Sequence, residues 1–495
     1  MNLDLSHLPA GVIASLTTLV QSLQRRREGD ALATPAELGA FESSLRELTM
    51  AVERSALEGE LQRLDVDAPG IEVGGHGYRR TVRSPLEVVT AAGTVRVEQT
   101  MYRMRGGHGG ETVGAVALRA GLVAGAVTPA AARLLCHLVA QMPPSDVSAV
   151  LQEFGALRVS TSTLDRVAKR VAAEWEADSA ALYEAVRVAE IPTLPNREEV
   201  AAIVAGLDGV MVATKEVVID PKTGKPSRYR EASSATLQLL NAEGECLHVI
   251  RFARMPEAGK PSLAAQLLAE LQALRLRYPQ AKLHIVADGA KENWRIHGDI
   301  TRALGVRFDS ELVDYYHAAQ HLTAGLKAAD VADKDISLWR SRLRDQPGAA
   351  TDLLIELARR RAEKALLPGD PAAEPLDREV TYFRNNHERM RYVEAAQRKL
   401  PIGSGMQEAA CKTLVVERLK QSGMSWGNKG GDAILLFRSL LQSGRYEPAW
   451  SALVANQNVD VTAQRERCRK PPTDPMIAFM TTDTTGPVCR AVGLR

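Results

Sequence analysis

From residue 9 to about 65 the apolar positions recur at helical spacing, as in Val12, Leu16, Leu19, Val20 and Leu23 and again in Leu45, Leu48 and Val52, so two helices are predicted. Between 76 and 104 the period changes. EVVT, the small residues AAG, and TVRVEQTMYRM with Val95 and Val97 alternating predict a β-hairpin with basic residues at its ends. Between 144 and 176 two helices are separated by a short turn. Val147, Val150, Leu151 and Phe154 make an apolar face that Gly155 stops, and STSTLDRVAKRVAAEW restarts a helix. There Ser162 and Asp165 have capping-box spacing, and Leu164, Val167, Ala168 and Val171 face a core. The turn is short enough for a helix-turn-helix. From 200 onward the pattern is α/β: AAIVAGLDGVMVA, SATLQLL, ECLHVIRFA and KLHIVADGA read as strands, and LAAQLLAELQALRLRY as an amphipathic helix. The stretch 317–399 reads as helical, with a PGDPAAEP break near Pro368. A Gly-Ser-Gly turn at Gly403 then leads into the helix QEAACKTLVVERLKQSGM. Beyond 456 a Thr-, Pro- and Arg-rich stretch predicts a weakly ordered tail.

Composition narrows the class. A chain of 495 residues exceeds one ordinary core, and 45% apolar with 25% charged residues is the balance of a folded protein. The net charge of +2 argues for no partner, so any nucleic-acid footprint must be local. Cys136, Cys246, Cys411, Cys468 and Cys489 are scattered and form no C-x-x-C pair, which argues against a disulfide framework or thiolate zinc site and for a reducing interior. The N-terminus lacks the pattern of a secretory signal, and no apolar stretch reaches membrane-spanning length. A cytoplasmic location with no membrane partner is expected.

Three carboxylates carry the candidate chemistry. Asp208 lies inside an apolar strand, where a charge is costly without a ligand or partner. Asp288 ends the strand LHIVADG, at the position where α/β sheets gather ligand-binding groups, and Gly289 beside it allows close approach. Glu408 begins a helix, where the dipole favours an acid. Taken singly, each has a structural explanation as a turn former or a cap. Together, two strand acids and one helix acid can hold two hard cations through oxygen.

The blocks AGLDGVMV, YREASSATLQLLNAEGE, VADGAKENW, DYYHAAQHL and LPIGSGMQEAACKTLVVERLKQSGMSW resemble the DDE transposases of bacterial insertion sequences, in the Kra-type group related to Mutator-like elements. The resemblance implies an α/β, RNase H-like catalytic domain with a helical insertion, preceded by a helical and β-hairpin region and a helix-turn-helix. The corresponding division is 1–110 for the helices and hairpin, 111–195 for the DNA-binding region, and 196–320 for the first catalytic part. The insertion then covers 321–400, the returning catalytic helices 401–456 and the tail 457–495. The implied triad is Asp208, Asp288 and Glu408, holding two Mg²⁺ or Mn²⁺ ions. DYYH matches a D-x-x-H element and puts Asp314 and His317 at the edge of the active site, with a structural Asp-His pair as the alternative. Relatives place cysteine pairs soon after a hairpin Tyr. Here Tyr102 is followed by RMRGGHGGETVG, so any DNA contact there falls to Arg103, Arg105 and the backbone.

The implied activity is cleavage of the element's own ends and their joining to target DNA. One metal would activate water to leave a 3′-hydroxyl, and that hydroxyl would attack the target while the other metal steadies the leaving oxygen. Double-stranded DNA is the implied partner, and cutting two ends together implies a homodimer or higher oligomer, associated with a bacterial nucleoid. Thr163, Arg166, Lys169 and Arg170 are the candidates for DNA contact on the second helix of the helix-turn-helix. Trp294 and Trp426 are candidates for base stacking, and Lys412, Arg418 and Lys420 for phosphate contact, against core packing and a solvated basic face as the plain alternatives. Two other functions compete: an inactive transposase-derived DNA-binding protein, and a glycosidase using two of the acids. An aromatic content of 4% does not favour a sugar-stacking cleft.

Overall fold

The computed structural model describes residues 7–106, 112–155, 157–219, 224–364, 367, 370–457 and 459–464. The expected tail beyond 464, the segment 107–111 after the hairpin and the break at Pro368 lie outside them.

The N-terminal helices α1 (Ala10–Glu28) and α2 (Pro35–Arg63) pack on one another, and α2 opens with a capping box in which Thr34 and Glu37 satisfy each other's backbone N–H groups. Four strands follow: β1 (Gly70–Val73), β2 (His76–Thr90), β3 (Gly93–Met104) and β4 (Thr112–Gly114). Along β3, buried Val95 and Val97 alternate with exposed positions, as a half-covered sheet requires. Part of the segment expected to be loose instead forms β10 (Val461–Gln464), which pairs antiparallel with β1 and completes the order β10-β1-β2-β3-β4. An open edge offers hydrogen bonds that local sequence pattern cannot register.

Next come the helices α3 (Ala115–Arg119), α4 (Pro129–Gln141), α5 (Pro144–Glu153), α6 (Thr161–Ala177) and α7 (Ser179–Glu190). The cap of α6 is Ser160, whose hydroxyl accepts from Thr163 N at 3.2 Å, and not Ser162 as its spacing from Asp165 suggests. The apolar face of α6 is Leu164, Val167, Ala168, Val171 and Trp175. It shares one core with residues of the last helices, including Ala433, Phe437 and Trp450, so these helices are built into the body of the protein.

The second sheet consists of β5 (Ala202–Ile219), β6 (Pro226–Leu240), β7 (Cys246–Arg254), β8 (Lys282–Ala287) and β9 (Ser310–Val313), in the order β7-β6-β5-β8-β9. The β5–β6 and β6–β7 pairs are antiparallel, and β5–β8 and β8–β9 are parallel. Helices α8 (Pro261–Arg277) and α9 (Lys291–Leu304) make the crossovers that parallel pairing needs. The central strands are buried on both faces, which explains their near-continuous apolar runs. A helical layer follows: α10 (Tyr315–Ala328), α11 (Asp333–Asp345), α12 (Ala349–Glu363), α13 (Glu374–Asn386) and α14 (Tyr392–Gln397). Leu322, Leu326, Leu353, Leu357 and Phe383 form its core, continuous with Val286 and Leu312 of the sheet. The chain returns as α15 (Gly405–Ala410), a π-helical turn (Cys411–Val416) and α16 (Glu417–Leu419), and closes with α17 (Asn428–Gln442) and α18 (Tyr446–Asn456). Among the described residues, no helix is long and apolar enough to cross a membrane.

Candidate active site

Parallel register sets the site. Leu207 pairs with Ala287, and Ala287 with Val313, so the next residue on each strand, Asp208, Asp288 and Asp314, falls in one row across three adjacent strands. Strands β8 and β9 end there. Strand β5 runs on, which is why Asp208 sits within an apolar run.

Asp208 is half-buried within β5. Its Oδ1 accepts from Gly209 N at 2.7 Å and its Oδ2 from the Cys411 thiol at 3.2 Å. Burial pushes its carboxyl above the ordinary aspartate value, and the charge of Asp288 adds to that, against the opposing hydrogen bonds from Gly209 and Cys411 and the nearby His317. Cys411 also lies 2.9 Å from the Ser234 hydroxyl, and Gln407 Nε2 donates to that hydroxyl at 2.7 Å. This knot joins β5, β6 and the helix carrying Glu408. The Cys411 thiol, pushed up to about 12 by burial and then by the Asp208 charge, stays protonated at neutral pH and acts as the donor. It sits at the start of the π-helical turn, a distortion that often marks functional positions.

Asp288 accepts at Oδ1 from Asn293 Nδ2 at 2.8 Å and from Ala290 N at 3.2 Å. Gly289 does allow close approach: a Cβ there would lie 2.5 Å from Tyr382 Cε2, so the ring from α13 occupies that space. The Tyr382 hydroxyl is buried and has no hydrogen-bond partner among the described residues, and burial followed by the charges of Asp288 and Asp314 pushes its pKa up. The ring stacks at 3.6 Å on His321, which bonds Glu379.

Asp314 is fully buried at the start of α10, accepting from His317 N at 2.8 Å and from Ser404 N. The second bond ties the Gly-Ser-Gly turn to the row. Tyr315 N donating to Ile402 O at 2.9 Å and His284 Nε2 at 3.1 Å from Pro401 O reinforce it. His284 is held neutral, its pKa brought down to about 4 by burial. Glu408 follows on α15, its backbone N–H bonded to Ser404 O and its carboxylate 3.4 Å from the Ser404 hydroxyl. Asp314, His317 and Glu408 bring one ligand atom each within 4.8 Å of one another. The His317 ring makes no hydrogen bond among the described residues. None of Asp208, Asp288, Asp314 and Glu408 forms an ion pair with Lys or Arg there either. Oxygen-rich groups with one imidazole and no cation among them are a donor set for divalent metal.

The other candidates are distributed unevenly. Arg166, Lys169 and Arg170 are exposed on α6, Lys169 bridged to Asp165 at 2.6 Å and Arg170 to Glu174 at 2.5 Å, with Thr163 half-buried in the first turn. Lys412 and Lys420 are exposed. Arg418 is not available for phosphate: it is 1% exposed, donates to Val139 O at 3.1 Å, and has its pKa lowered to about 10 by burial and the nearby Arg438. The two tryptophans are also committed to packing. Trp294 lies between two cores with the Arg389 guanidinium 4.5 Å from its ring centroid, and Trp426 donates to Leu419 O at 3.0 Å under the Arg418 guanidinium. Cys411, Ser234 and Tyr382 are absent from the sequence-based candidates. Cys411 stands three positions after Glu408, a helical neighbour, but scattered cysteines otherwise signal nothing.

No family model and no curated protein matches the chain. Among solved structures it is similar to the Drosophila P element transposase strand transfer complex, with a TM-score of 0.23 and 12% identity over 65% of this chain and 80% of that chain. At that score the likeness bears on neither fold nor function.

Proposed function

We propose that this chain is a metal-dependent DNA transposase of the DDE type, cleaving the ends of its own element and joining them to target DNA. The observation that carries the reading is the row of Asp208, Asp288 and Asp314 set by parallel register, with Glu408 returned to it by the Asp314–Ser404 bond. The strand order β7-β6-β5-β8-β9, three antiparallel strands followed by two parallel ones, supports an RNase H-like assignment with α10–α14 as its insertion.

Asp208 and Asp288 would hold one side of a pair of Mg²⁺ or Mn²⁺ ions, and Glu408, with Asp314 and His317 beside it, the other. Such ions supply activation of the attacking oxygen and stabilisation of the leaving one in an in-line phosphoryl transfer. The chain's own contribution is orientation. The Cys411 thiol and Gly209 N–H hold the Asp208 carboxylate, and the Ser404 N–H and hydroxyl hold Asp314 and Glu408. Exposed Lys412 and Lys420, with Arg166, Lys169 and Arg170 on α6, are the cations assigned to the DNA backbone. Two ends cut in concert make the active complex at least a dimer.

The test is a nicking assay on DNA bearing the inverted repeats that flank the gene. Cleavage in Mg²⁺ or Mn²⁺, lost in chelator, is the expected result. Binding without cleavage would instead establish a DNA-binding derivative, and cleavage in chelator would overturn metal chemistry altogether.

A further inference from the structure

Asp288 is connected to a buried lysine. The Asn293 amide donates to Asp288 Oδ1 at 2.8 Å, and its other end, Oδ1, accepts from Lys260 Nζ at 3.3 Å. Lys260 is 5% exposed and Asn293 2%. The ammonium also meets Glu231 Oε1 at 2.7 Å and Glu292 Oε2 at 3.7 Å. Glu231 in turn fills the space over Gly209, where a Cβ would come within 2.1 Å of its Oε1, so the chain of contacts ends beside Asp208. Two facts set this apart from an ordinary ion pair. Lys260 holds a left-handed backbone, φ +53, which is unfavourable for a lysine and persists only where its surroundings impose it. An ammonium, moreover, has donors alone. It dictates that the Asn293 carbonyl faces it and that the NH₂ faces Asp288, removing the two-fold ambiguity of an amide.

We propose that Lys260 and Asn293 are positioning residues for Asp288, fixing its rotamer so that the oxygen not bonded to Asn293 is presented to a divalent cation. This rests on the reading of Asp288 as a metal-binding carboxylate. Outer hydrogen-bond partners of metal ligands are worth roughly 10- to 100-fold in metal affinity or activity. Lys260 makes no hydrogen bond to Asp288 itself and reaches that carboxylate through Asn293, so its effect on metal binding should parallel that of Asn293.

The experiment uses the full chain and Mn²⁺ as the probe, reading binding from the paramagnetic signal of free Mn²⁺ and cleavage as a function of Mn²⁺ concentration. Lys260→Met and Asn293→Leu should each raise the half-saturating Mn²⁺ by about 10-fold or more, with cleavage recovering substantially at saturating metal. Lys260→Arg should restore much of the affinity, since it keeps a donor-only cation. Asn293→Leu keeps the test open if the lysine variant fails to fold. Asp288→Ala is the reference. If it binds Mn²⁺ as wild type does, the metal reading of Asp288 fails. If it loses a bound ion while Lys260→Met and Asn293→Leu retain wild-type Mn²⁺ dependence, the positioning role is overturned and the metal reading stands.

Discussion

The Cys411 thiol lies 3.2 Å from Asp208 Oδ2, a hydrogen bond between a residue in the helix that follows Glu408 and the first acid of the row. It couples the returning chain to the sheet, because the same sulfur touches Ser234 on the strand paired with that of Asp208. Cys411→Ala should therefore reduce metal-dependent cleavage roughly 10- to 100-fold, whereas Cys411→Ser, which keeps a donor, should retain most of it. Equal activity of the alanine variant and wild type would reduce the contact to packing.

Replacing Asp208, Asp288 or Glu408 singly by Ala should abolish strand cleavage and leave binding to terminal DNA within a few-fold, as an electrophoretic shift would show. Asp→Asn at Asp208 or Asp288 should be nearly as damaging, since the amide keeps the shape and loses the charge that holds a cation. Glu417→Gln is the control: this acid is 51% exposed and faces Arg438 at 3.5 Å, and its variant should cleave normally. A triad variant that cleaves at the wild-type rate in Mg²⁺ would remove that residue from the mechanism.

Metal choice follows from the donor set. Mg²⁺ and Mn²⁺ should support cleavage, and Ca²⁺ only assembly on DNA, because its looser coordination fixes no in-line geometry. His317→Ala should penalise Mn²⁺-supported cleavage more than Mg²⁺-supported cleavage, an imidazole nitrogen suiting the former ion better. An equal loss in both metals would assign His317 to another task.

Neutralising Arg166 and Lys169 together should weaken binding to terminal DNA and flatten its salt dependence, each lost phosphate contact removing about 0.9 from the slope of log K against log salt. The Lys169–Asp165 bridge is exposed and offers little resistance to such a role. If affinity and slope are both unchanged, α6 is a structural helix alone.

A stability test lies away from the site. Arg445, 4% exposed at its side chain, pairs with Glu190 and with Glu270 at 3.0 Å, joining α7, α8 and the segment before α18. Burial alone would raise the Glu190 carboxyl, but hydrogen bonds from His248 and Arg445 outweigh it and hold the pKa below its ordinary 4.5. A depressed acid contributes stability above its unfolded value and loses it as pH falls through the folded one. Glu190→Gln should therefore cost about 3 kcal/mol at neutral pH, and the gap in Tm to wild type should narrow below about pH 4.5. A gap that stays constant or widens on acidification would contradict the pairing.

Much of the architecture is legible along the chain, since it is written in local periodicity. The two N-terminal helices, the hairpin, the strands around Asp208 and Asp288 and the turn before Glu408 each show as a run of regular spacing or a turn residue. What is not legible depends on neighbours remote in sequence. Arg418 reads as one more surface cation on a basic helix, yet Val139 and Trp426 enclose it. Strand β10 reads as a polar tail because its partner, β1, lies nearly four hundred positions earlier.

By itself the sequence determined which residue types lie on which elements: acids inside or at the ends of apolar strands, an Asp-x-x-His at a helix start, and a Gly-Ser-Gly turn leading to a glutamate. Period and capping are local effects, with energies set within a few residues. Tertiary structure alone decided that register aligns Asp208, Asp288 and Asp314, that Cys411 and Asn293 hold two of them, and that Tyr382 from the helical layer closes over Gly289. Those relationships arise from strand pairing and close packing between segments far apart in the chain, where a side chain's role depends on what surrounds it.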